Sequence, residues 1–264
     1  MNAALGLMLA LVAGPAAAQE PVRLYAAGSL RGALTEAAKA FEAKEGTKVA
    51  ATFGPSGLLR DRIAKGEPAE VFASANMNHP QSLAQAGKAG PVRMFARNRL
   101  CALAAPGLKV DPASLLERML DPALKLGTST PKADPSGDYA FELFAKADAL
   151  RPGARVALEA KALKLTGGPD SPPPPKDRSQ YGQMVADGKA DLFLTYCTNA
   201  LQARDENPGQ QIVQVPEALA VGADYGLTVI KGVRPQAERF ADFVLAPVGQ
   251  AILARYGFAP GDGK

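Results

Sequence analysis

Apolar positions along this chain switch repeatedly between a strand-like run and a helix-like spacing. Val22–Ala26 is a short apolar run and predicts a strand. Leu30–Lys44 follows, with Leu34, Ala37, Ala38 and Phe41 on one helical face. The same pair recurs as a strand at Val49–Phe53 and a short helix at Leu58–Lys65, then as Val71–Ser74 and Pro80–Ala86. Further on, strands are predicted at Leu100–Ala105, Leu124–Ser129, Asp191–Cys197, Ile212–Val215 and Tyr225–Ile230. Helices are predicted at Ala113–Leu120, from a Ser136 cap to Ala147, at Gln180–Ala186, Ala237–Leu245 and Gly249–Arg255. Pro172–Pro175 breaks the pattern as an exposed loop. The alternation predicts a doubly wound α/β architecture.

Two of the strand-to-helix junctions carry the same chemistry. Ala26-Ala27-Gly28-Ser29-Leu30 ends the first strand, and Gly54-Pro55-Ser56-Gly57-Leu58 ends the second. A serine at such a junction is expected to accept a hydrogen bond from the first helical turn. Free backbone N–H groups and the positive end of the helix dipole remain beside it. Two such turns facing one cleft would hold a small anion without a lysine or arginine.

The N-terminus reads as a targeting segment. Leu5–Val12 is apolar, and Ala16-Ala17-Ala18 offers a small-residue cleavage site, so residues 1–18 are expected to be a signal peptide. About 245 residues remain, enough for two lobes with real cores. The net charge of +4 is modest and its signs are interspersed, which excludes a nucleic-acid footprint. Trp is absent, which argues against sugar stacking on indoles. Cys101 and Cys197 are compatible either with a disulfide or with two buried thiols, and lack the neighbours of a zinc site. His79, the single histidine, is expected at the surface. With no second histidine, no P-loop and no dinucleotide fingerprint, an enzyme is disfavoured.

Taken in order, these motifs resemble the periplasmic solute-binding proteins of ABC importers, and among them the molybdate/tungstate-binding group. The resemblance rests on the two serine turns and on Gly66-Glu67-Pro68-Ala69-Glu70-Val71-Phe72-Ala73-Ser74-Ala75. Asp134-Pro135-Ser136-Gly137-Asp138-Tyr139-Ala140, Phe193–Ala200 and the C-terminal run Ala237–Phe258 complete it. It implies a two-lobed α/β binding protein of type II with a ligand cleft between the lobes. Lobe one would comprise residues 19–98 and 218–264, and lobe two residues 99–217. The protein would be a periplasmic monomer without a cofactor, and no enzyme. It would capture molybdate or tungstate and deliver it to an inner-membrane ABC permease.

By the same resemblance the oxyanion would be held by the hydroxyls of Ser29 and Ser56, the phenol of Tyr196 and the backbone amide at Ser136. A further amide would come from the segment around Arg178 to Tyr181, which departs from the family's pattern. Asp134, Asp138 and Asp177 raise a rival possibility. A carboxylate in the first turn of a helix normally serves the dipole, but one turned into the cleft would repel an oxyanion and favour a cation. Arg178 could offset such a charge, or clamp the oxyanion. A receptor of the same fold for a sulfate-like ion, a ferric ion or a metal chelate is the alternative. Tyr139, Tyr181 and Tyr196 would serve a ferric site.

Overall fold

The computed structural model describes residues 20–175 and 178–261, so the expected signal peptide and Asp177 lie outside the described residues. The first half of the chain runs β1 (Val22–Ala27), α1 (Arg31–Glu45), β2 (Val49–Gly54), α2 (Ser56–Ala64), β3 (Val71–Ser74), α3 (Asn78–Gln85) and β4 (Arg93–Ala104). It continues through α4 (Leu115–Leu120), β5 (Leu126–Ser129), α5 (Pro135–Leu150), α6 (Ala154–Lys161), β6 (Leu163–Thr166), α7 (Gln180–Ala186) and β7 (Leu192–Tyr196). The chain closes with α8 (Cys197–Glu206), β8 (Gln211–Gln214), β9 (Gly222–Val229), α9 (Pro235–Leu245), α10 (Pro247–Arg255) and β10 (Ala259–Pro260).

The strands lie in the order β2-β1-β3-β9-β4-β7-β5-β6, with β8 and β10 also pairing to β4. β4 belongs to both halves of this curled sheet. Its residues Arg93–Arg99 pair antiparallel with β9, and Leu100–Ala104 pair antiparallel with β7. Each half is covered by helices on both faces, which the period of two along its strands makes possible. In β1, Val22, Leu24 and Ala26 enter the core shared with α1 and α9, whereas Tyr25 enters a smaller cluster with Leu59 and Leu83 of α2 and α3. In β4, Ala102 and Ala104 face the core holding Leu143 and Leu158 of α5 and α6, and Cys101 and Leu103 face Ala200 and Ala203 of α8.

Several expectations are corrected. β4 begins seven residues earlier than predicted: Arg93, Arg97 and Arg99 themselves pair with β9, and their charge hides the strand in the sequence. α6, β6, α8 and β10 were not predicted. Neither Ser29 nor Ser56 caps a helix through its side chain; Ser56 is the first residue of α2, behind Pro55. The cap of α5 is Asp134, whose side chain accepts from Ser136 N–H, and not Ser136. His79 is buried, and burial pulls its imidazole down to about 4, so it is neutral at physiological pH. Cys101 and Cys197 are joined in a disulfide that ties β4 to the start of α8.

Candidate functional site

The ends of β1, β2 and β7 open on one cavity of about 1330 Å³, lined by Ser29, Ser56, Ala75, Asp134, Tyr181 and Tyr196, with Arg178 at its edge. Ser29 sits on a single 3₁₀ turn between β1 and α1. Its Oγ lies 3.0 Å from the phenol oxygen of Tyr225 on β9. That phenol also accepts from Asn98 Nδ2 at 3.4 Å, and either hydroxyl can donate across the Ser29–Tyr225 contact. Ser56 is buried, and its Oγ accepts from Ala75 N–H at 3.1 Å, which leaves its O–H free. Tyr196 is buried at the end of β7, and its phenol reaches Ala75 O at 3.5 Å. Burial raises the pKa of Tyr196, Tyr181 and Tyr225 far above the ordinary phenol value, so all three remain protonated. Two hydroxyl donors and two buried phenols therefore border the same space.

Of the six residues named from sequence, Ser29, Ser56, Tyr181, Tyr196 and Arg178 border this cavity and Ser136 does not. Ser136 is fully buried, and its N–H is held by Asp134 Oδ1 at 3.1 Å. In the helix-opening segment before α7, Ser179 N–H donates to Glu206 Oε2 at 2.7 Å and its Oγ caps α7. Arg178 is exposed. Asp138 accepts Lys132 N–H at 2.7 Å and lies outside the cavity wall, so it shapes the preceding turn.

Asp134, one of the carboxylates singled out from the sequence, borders the cavity, half-buried. Two contributors escaped the sequence. Arg31, one residue past the first serine turn, borders the cavity with its guanidinium 4.9 Å over the ring of Phe53. Tyr225 is 196 residues from Ser29 in sequence, and no local signal links the two. The two halves meet beside these groups. Gly57 N–H donates to Ala133 O at 2.9 Å, so the N-terminus of α2 docks on the turn before α5. A Cβ on Gly57 would overlap the carbonyl oxygen of Lys132 and come within 2.8 Å of that of Ala133.

A two-lobed α/β fold with hydroxyl donors and buried phenols converging on a cleft defines a solute-binding protein. Residues 22–259 match the family of bacterial extracellular solute-binding proteins, and the chain belongs to it, with the molybdate-binding proteins among its relatives. It is similar to an uncharacterized protein of Pasteurella multocida, with 35% identity across 90% of this chain and 98% of that one. It is 30% identical to the molybdate-binding protein ModA of Rhodobacter capsulatus, across 95% of this chain and 93% of that one. Among solved structures it resembles the periplasmic molybdate-binding protein of Azotobacter vinelandii (TM-score 0.73, 22% identity, covering 90% and 98% of the two chains). The sulfate-binding protein SubI of Mycobacterium tuberculosis is similar in fold (TM-score 0.76, 18% identity, covering 93% and 88%). Among the described residues no helix is long and apolar enough to cross a membrane.

Proposed function

We propose that this protein captures a tetrahedral oxyanion, molybdate or tungstate, in the interlobe cleft and passes it to the permease of an ABC importer. The lobes are taken as residues 19–98 with 218–264 and residues 99–217, and no cofactor takes part. The observation that carries the reading is the hydrogen-bond economy of the two serines. Ser56 has its acceptor side engaged by Ala75 N–H and its O–H left for a guest, and Ser29 can accept the Tyr225 proton and turn its own O–H to the same guest. A site of O–H donors suits an oxyanion, which can only accept. The relationship to ModA proteins supports the choice of molybdate and tungstate.

Removing both hydroxyls tests the reading. Hydrogen bonds to charged groups contribute about 1.5–3 kcal/mol each, so Ser29→Ala combined with Ser56→Ala should weaken molybdate and tungstate binding by about a hundredfold or more in calorimetry. Unchanged affinity in the double variant would reject it.

A further inference from the structure

The donor-rich cleft contains one group of the opposite kind. Asp134 is an acceptor when ionised, and it stands next to Ala133, whose carbonyl receives Gly57 N–H at 2.9 Å, with Ser56 one residue before Gly57. Its place is built. Oδ1 holds Ser136 N–H at 3.1 Å as the cap of α5. The other oxygen packs on Gly167, where a Cβ would come within 2.6 Å of Oδ2. Gly167 also has φ +79°, a conformation that suits glycine, so two constraints keep this wall free of a side chain. The Oγ atoms of Ser129 and Ser136 are buried nearby without hydrogen-bond partners. An anion entering this space meets a wall that carries a carboxylate.

The groups facing Asp134 do not neutralise it. On its own helix, Asp138 adds negative charge. From β5, α7 and β7 it faces Ser129, Tyr181 and Tyr196, two of them phenols that stay protonated. Arg178 borders the same cavity but is exposed at its edge. Burial, opposed by Ser136 N–H and Ser129 and reinforced by Asp138, pushes the Asp134 carboxyl up to about 6.

We infer that anion capture in this cleft is proton-coupled: each anion enters with one proton, held between a carboxyl oxygen of Asp134 and an oxygen of the anion. This rests on the anion-binding reading above. With the proton in place, Asp134 adds to the donor set; without it, Asp134 repels the guest. No covalent bond changes, and the proton comes from bulk water. The cleft would then favour anions at lower pH, and among anions of one size those that carry a proton most readily.

The test is titration calorimetry of the whole protein with molybdate and tungstate between pH 6.5 and 8.5, in two buffers that differ in ionisation enthalpy. The buffer dependence should report uptake of about one proton per anion, and affinity should fall about tenfold for each pH unit above about 6. Asp134→Asn keeps an acceptor for Ser136 N–H and should show neither the proton uptake nor the slope. Anion binding by the unmodified protein with no buffer dependence and a flat pH profile would overturn the inference and leave the anion reading intact. A slope that persists in Asp134→Asn would overturn it as well. Failure of molybdate, tungstate and sulfate to bind at any of these pH values would remove the anion reading itself, and this inference with it.

Discussion

At the scale of single residues, the site depends on side chains that never touch the cavity floor. Tyr225 orients Ser29 while its ring packs edge-on against Phe95 and Phe258. Tyr225→Phe keeps that packing and removes one hydrogen bond, a change of about 1 kcal/mol. Calorimetry should show anion affinity lowered about fivefold, with the melting temperature nearly unchanged. Glu70 behaves differently. It is buried and accepts from Arg234 Nε and Nη2, both at 2.9 Å, and from Arg23 N–H at 2.9 Å. Against the upward push of burial, these partners hold its carboxyl below the ordinary 4.5. A depressed folded value means the stabilisation is complete above the unfolded value and is lost as pH falls through the folded one. Glu70→Gln should cost about 2 kcal/mol at pH 7, and below pH 4.5 its melting temperature should fall less steeply than that of the unmodified protein. Ser29 and Ser56 stood out as turns after apolar strands and Tyr196 through the family resemblance, and all three border the cavity. Tyr225 and Glu70 were not legible, because partners from distant segments define their roles.

At the scale of elements, local periodicity located most strands and helices, and it failed where one element passes into another without a breaker. β7 runs into α8 at Tyr196–Cys197 with no glycine or proline between them, so the pattern showed only a strand. The first half of β4 carries three arginines and shows no strand pattern until its partner β9 is known. α6 exposes Val156 almost completely, which blurs its apolar face. The disulfide crosses one of these unmarked junctions. It closes a loop across 96 residues of sequence, and a loop of that length is worth about 4–5 kcal/mol in the chain-entropy account. Cys101→Ser with Cys197→Ser should lower the urea midpoint accordingly, and adding reductant to the unmodified protein should reproduce the shift. Such a bond suits the oxidising compartment expected of an extracellular solute-binding family.

At the scale of the molecule, the two halves touch through backbone. Gly57 permits the α2 terminus to meet the turn at Lys132 and Ala133, a turn fixed from within by Asp138 on Lys132 N–H. Gly57→Ala places a methyl group in that contact. It should hold the halves apart, raise the radius of gyration of the anion-loaded protein in small-angle scattering, and weaken binding about tenfold or more, while the ligand-free melting temperature changes little. The two-lobed fold could be anticipated from resemblance; this backbone contact could not, since a glycine beside a serine reads equally well as part of a turn.

One strand runs through both halves, and this constrains any motion between them. Because β4 is continuous from Arg93 to Ala104, opening has to be absorbed as torsion near Arg99 and Leu100, where its partners change. Asn98 sits beside that fulcrum and grips Thr198 Oγ1 at 2.8 Å and the Tyr225 phenol at 3.4 Å. With this point as the pivot, the hydroxyl of Ser29 would lie near the axis and the wall carrying Asp134 would travel the longer arc. A guest would first settle on the still side of the cleft and be sealed by the moving one.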